Sequence, residues 1–104
     1  MINIPEIYVE DPFCLMEGLF NKEMIEEYDI FFRRIVHLAL KDEIGRLEPI
    51  VAICEEELEY YVYIDDKTYL KFLKRALKYF EWIEEYLTCK LVLELINEEA
   101  TLTR

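Results

Sequence analysis

A chain of 104 residues, 54% hydrophobic and 14% aromatic, can build one domain around its own core without a metal or disulfide staple. Its 23 acidic residues outnumber 12 basic ones, and the net charge of −11 disfavours direct contact with nucleic acid or an anionic membrane. With only 2 Gly and 3 Pro, the turn-formers of an all-β protein are scarce, which favours helices.

Residues 1–10 read as an extended arm on the core, broken by Pro5, with a short strand allowed at Ile7 to Val9. Asp11 and Pro12 suit a cap and first helical position, and Gly18 a left-handed stop, so a short helix is expected over 12–17. Asn21 is the candidate N-cap of the next helix, and Phe20 and Ile25 have the spacing of a hydrophobic staple. Met24, Tyr28, Phe31, Ile35 and Leu38 then recur every three or four residues, with Phe32 and Ala39 widening the stripe. Glu26, Arg33, Arg34, His37 and Lys41 form its opposite face, and Gly45 is read as its end.

The stretch after Glu48-Pro49 is ambiguous. Ile50, Val51, Cys54, Leu58, Tyr61 and Val62 fall on one face of a helix, and the glutamates between them favour that state. The rival is a hairpin, with strands IVAIC and LEYYVYI, whose turn EEE lacks Gly, Asn or Asp. Helix is the expectation here, with YVYI its most extended part.

Asp65 or Asp66 caps a long helix whose apolar stripe is Leu70, Leu73, Leu77, Phe80, Ile83 and Leu87. A basic stripe, Lys67, Lys71, Lys74, Arg75 and Lys78, lies opposite, with Trp82 and Tyr86 near it by helical phase. That stripe is expected to pair with nearby acids or to solvate the helix. Trp82 is read either as a covered cation–π partner of Lys78 or Arg75, or as an interface anchor. Beyond Leu87 the phase is lost, so a break is expected at Glu85 to Thr88, followed by a last helix over 89–99 capped by Thr88. A strand at KLVLELI is the alternative for this segment, and 101–104 read as a frayed tail.

The fold class expected is therefore all-α, a single domain 1–104 forming a small antiparallel bundle of three long and two short helices. The alternative is α+β with a hairpin at 50–64.

Three unpaired cysteines, Cys14, Cys54 and Cys89, do not make a disulfide framework, and the N-terminus lacks a secretory pattern. A cytoplasmic protein with buried, inert thiols is expected. There is no serine, and the one histidine, His37, sits between Arg33 and Lys41 on a helix face, which points to a surface residue rather than a catalytic base. Cys14, His37, Cys54 and Cys89 lack the close pairing of zinc ligands, and no Glu-x-x-His or glycine-rich phosphate loop occurs. Carboxylate pairs such as Glu26-Glu27 and Glu84-Glu85 are adjacent on helices and do not converge. No catalytic residue, metal or cofactor is expected, and the chain reads as non-enzymatic.

The remaining signal is an acidic, tyrosine-rich surface. Glu55, Glu56, Glu57, Glu59, Tyr60, Tyr63, Asp65, Asp66, Trp82 and Tyr86 are the candidate partner-binding residues. They suit a basic partner, for example a nucleic-acid-handling protein. A pointed form is an inhibitor of the phage counter-defence type, in which the acids stand in for phosphates. This is an analogy of charge and size. Acidity serving only solubility is the plain alternative. The competing function is an assembly subunit that forms a homodimer through Trp82, Tyr86 and the apolar last helix.

Overall fold

The computed structural model of the chain describes residues 6–8, 19–41, 51–55, 58–63 and 68–102. Three strands, β1 (Glu6–Tyr8), β2 (Val51–Glu55) and β3 (Leu58–Val62), form one sheet in the order β1-β2-β3. Three helices, α1 (Ile25–Leu40), α2 (Tyr69–Trp82) and α3 (Tyr86–Leu102), complete the described elements. The all-α bundle is thus corrected to an α+β fold, and the hairpin held as the alternative for 50–64 is what the chain forms. The expected short helix at 12–17, the end at Gly45 and the caps at Asp65 and Asp66 lie outside the described residues.

The hairpin wins because its residues fit a pleated surface better than a helix stripe. Ile53, Tyr60, Tyr61 and Val62 are β-branched or aromatic, and such side chains pack well across strands. β2 pairs antiparallel with β3 in the register Val51↔Val62, Ile53↔Tyr60 and Glu55↔Leu58. On its other edge β2 pairs parallel with β1, setting Ile7 opposite Ile53. A parallel pair requires a crossover, and α1 lies in the chain between these two strands and packs on β1. Glycine-poor composition could not report this, because the pairing is long-range.

Alternation gives the sheet two unlike faces. Ile7 and Ile53 are buried and enter one core with Tyr28, Phe31, Phe32 and Ile35 of α1 and Leu73, Phe80 and Val92 of the other helices. The helices therefore cover this face. The opposite face carries Glu6 and Tyr8 of β1 beside Ala52 and Cys54 of β2, and Glu59 and Tyr61 of β3.

α1 follows the expected stripe closely, with Val36 added to the buried set. Asn21 caps the 3-10 turn Lys22–Met24 that leads into it, its side chain accepting from the Glu23 amide at 3.0 Å. The proposed staple does not form the main contact of Phe20. That ring joins an aromatic cluster, edge-on to Tyr28 and stacked on Trp82 at 5.3 Å, while Ile25 remains exposed. The Tyr28 hydroxyl ties the segment down by donating to the Leu19 carbonyl and accepting from the Asn21 amide. The described helix α1 ends at Leu40, with the Lys41 amide bonded back to His37.

The break between α2 and α3 falls at 83–85, slightly earlier than expected, and its geometry explains why. The Glu84 amide donates to Glu81 and the Glu85 amide to Phe80, the two bonds of a Schellman motif. Its left-handed position, ordinarily glycine, is held by Glu84 at φ 61°. Glu85 then opens α3 directly, its carbonyl accepting from Cys89, and its carboxylate accepting from the Thr88 hydroxyl. Thr88 is thus inside α3, which starts at Tyr86 and reaches Leu102 in the stretch read as a tail. Leu87 leaves the core stripe and is 87% exposed, because the break rotates it away. The strand alternative at KLVLELI is not adopted: Val92 and Ile96 are the buried positions of a helix.

Arg33 clamps this break to α1. Its guanidinium forks onto Glu85 at 2.9 and 2.6 Å, bonds Asp29 at 2.8 Å, and lies over the Phe80 ring. The Tyr79 hydroxyl donates to the other Asp29 oxygen at 2.9 Å. Two stability predictions follow from these contacts. Glu84→Gly is expected to raise stability by about 1 kcal/mol, since a left-handed residue with a Cβ costs about that much. A lowered urea midpoint for this variant would contradict the assignment of strain.

The second concerns acid. Hydrogen bonds from Arg33 and then Thr88 hold the Glu85 carboxyl below its ordinary value near 4.5. A lowered folded value means stability that is present at neutral pH and lost as pH falls through it. The pair is half-exposed, so Glu85→Gln is expected to cost only about 0.5–1 kcal/mol at pH 7. Urea melts across pH should show the gap between parent and variant closing below pH 4.5. A gap that persists in acid would assign the loss to packing instead.

Candidate interaction surface

The outward face of the sheet gathers acid, phenol and thiol groups over three adjacent strands. Register sets Glu6 beside Ala52 and Ala52 beside Tyr61, and it sets Tyr8 beside Cys54 and Cys54 beside Glu59. Ala52 is buried although it faces outward, a methyl flanked by two longer side chains. Tyr8 is 69% exposed and Tyr61 is 49% exposed, so the aromatic rings stand over the sheet rather than in the core. Cys54 is half-buried at the centre.

The groups sense one another electrically. The Tyr8 phenol is pushed above its ordinary value chiefly by the Glu6 carboxylate, to which it also donates at 3.3 Å, and further by Cys54 and Glu59. The Tyr61 phenol is raised mainly by Glu59, which also accepts its hydrogen bond, with smaller contributions from Glu6 and Tyr63. Loss of hydration raises the Cys54 thiol first, and Glu59 and Glu6 raise it further. Each shift is upward because lost hydration and the acidic surroundings both disfavour the ionised form. At neutral pH the phenols and thiol therefore stay protonated.

Such a face can donate phenolic hydrogen bonds, accept at carboxylates, and offer ring faces to cations. It is poorly suited to nucleophilic chemistry, since a reactive cysteine needs its thiolate stabilised. Cys89, on α3, is raised likewise by burial and by Glu81 and Glu85. Among the described residues, no group of three or more His, Cys, Asp or Glu is placed to hold a metal ion. His37 is exposed on α1.

The candidate residues separate on this fold. Glu59 lies on the outward face, and Tyr63, exposed just past β3, lies close enough to act on Tyr61. Tyr60 is exposed but belongs to the opposite face, opposite Ile53. Glu55 closes β2 as the partner of Leu58. Glu56, Glu57, Asp65 and Asp66 lie outside the described residues.

Trp82 is half-buried against the core, stacked on Phe20 and edge-on to Tyr28. In this cluster Arg75 lies over the Phe20 ring, at 4.1 Å. Lys71, Lys74 and Lys78 remain exposed along α2. Of the glutamates read as part of a helix after Pro49, Glu55 and Glu59 are on β2 and β3. Tyr86 is exposed at the start of α3, an element that packs on α2.

Glu6, Tyr8, Cys54 and Tyr61 share this outward face and are not among the candidates read from the sequence. The sequence places Cys54 and Tyr61 on one face of an expected helix, and Glu6 and Tyr8 in an extended arm. The alternation in LEYYVYI was the available signal for Tyr61, since it puts Glu59, Tyr61 and Tyr63 on one side.

Among the described residues, no helix is long and apolar enough to cross a membrane. No family model, curated protein or solved structure matches this chain.

Proposed function

We propose that the chain is a non-enzymatic interaction module whose outward sheet face binds a basic segment of a protein partner. The observation that carries this reading is the grouping of Glu6, Glu59, Tyr8 and Tyr61 on one open face of a protein with net charge −11. Lysine or arginine side chains would pair with the carboxylates and lie against the rings. Proteins that handle nucleic acid present such basic segments, so they are the partner class that fits best. An inhibitor that occupies a nucleic-acid-binding surface is the pointed form of the same reading.

The test is capture from a native lysate by the parent and by a Glu6→Gln, Glu59→Gln double variant, at low and high salt. The reading expects a basic partner that is weakened by salt and lost from the variant. Equal capture by both proteins would reject the sheet face as the site.

A second reading has its own observation. Tyr86, Leu87 and Leu93 of α3 are exposed. An assembly subunit pairing through α3 would hide them. It expects a dimer that resists salt, because apolar burial is insensitive to screening.

A further inference from the structure

The sheet ends on β3, which is bonded to β2 on one side only among the described residues. An edge strand leaves a row of backbone donors and acceptors that another strand can satisfy. The two rows of side chains along this edge differ. Leu58 and Tyr60 stand on the helix side, 59% and 45% exposed, while Glu59 and Tyr61 stand on the outward side. β1, the other edge, has three residues and offers a shorter template.

We infer that the β3 edge accepts an extended peptide of alternating basic and apolar residues, added as a fourth strand beside Leu58–Val62. This rests on the proposed basic-partner reading and specifies how the partner is held. Alternate side chains of an added strand point to opposite faces. Its apolar residues would cover Leu58 and Tyr60, and its lysines or arginines would meet Glu59 and the Tyr61 ring. Charge selects this occupant over a second copy of the chain. Two copies each carry −11, and pairing edge to edge would bring two Glu59 carboxylates onto one small sheet.

The test uses a labelled heptapeptide of alternating arginine and valine, titrated into the full chain by fluorescence anisotropy. Two N-methylated forms block one or the other set of alternate amides, and a helical lysine-alanine peptide of equal charge is the comparison. Strand addition predicts that one methylated form loses about 10-fold or more in affinity while the other binds as the parent does, because only one set of amides faces the edge. Binding that is equal for both methylated forms and the helical peptide would overturn strand addition and leave the basic-partner reading standing. Failure of every basic peptide to bind would overturn both. A dimer of the chain that the arginine-valine peptide neither binds nor disperses would assign the edge to a second copy and overturn the inferred occupant.

Discussion

Phe32→Ala is expected to destabilise the protein by about 3–5 kcal/mol, the usual cost of emptying a buried phenylalanine site. Phe32 is fully buried and stacks on Tyr79 of α2 at 5.2 Å, while Phe31 and Phe20 meet it edge-on at 5.1 and 6.2 Å. Rings from three parts of the chain thus converge on one side chain. The cavity cannot close by moving one neighbour, because each of those rings is also held by others. A domain of this size has only about 5–15 kcal/mol in total, so the variant should unfold at a much lower urea concentration. Phe32→Leu should lose less. A loss below about 1 kcal/mol for the alanine variant would show that the aromatic cluster is not the packing centre.

The second large effect separates strand from helix at 51–62. Ile53 is 2% exposed on the central strand, with Ile7 as its partner on one side and Tyr60 on the other. Ile53→Ala is expected to cost about 2–5 kcal/mol, since a buried isoleucine is truncated where three strands meet the helices. Leu58→Ala, at the exposed edge, should change stability by less than about 0.5 kcal/mol. A helix over the same residues reverses the order, because Leu58 lies on its apolar stripe and Ile53 does not. Denaturant melts of the two variants decide between the structures: a costly Leu58→Ala beside a mild Ile53→Ala would contradict the hairpin.

That contrast also shows what could be read from the sequence. α1 and α2 were legible because each is long and strongly periodic, and a three-to-four repeat over several turns has few alternative explanations. The break before α3 was visible as a loss of phase, although Glu84 in a left-handed turn was not, since glycine usually marks that position. The hairpin was obscured for a different reason. Short apolar runs fit either period, and the glutamates around Leu58 carry a helix preference that pairing with β2 overrides. The pairing is extended by a parallel partner, Glu6–Tyr8, some 45 residues earlier in the chain. No local pattern contains that information.

The candidate site shared this limit. Acidic and tyrosine-rich character is plain in EEELEYYVYIDD, and Glu59 and Tyr63 are exposed. Their company was not foreseeable, because Glu6 and Tyr8 reach them only through β2. Trp82 was the opposite case. Its helical phase pointed away from the α2 stripe, yet Phe20, from the segment before α1, covers it.

The central claim is that the outward sheet face receives basic side chains. Nitrogen-15 NMR of the folded chain, titrated with a short polyarginine peptide, tests this most directly. The account predicts shifts concentrated at Glu6, Tyr8, Cys54, Glu59 and Tyr61, which fade as salt is added. Shifts confined to Tyr86–Leu93 of α3, or none at a peptide excess, would contradict it.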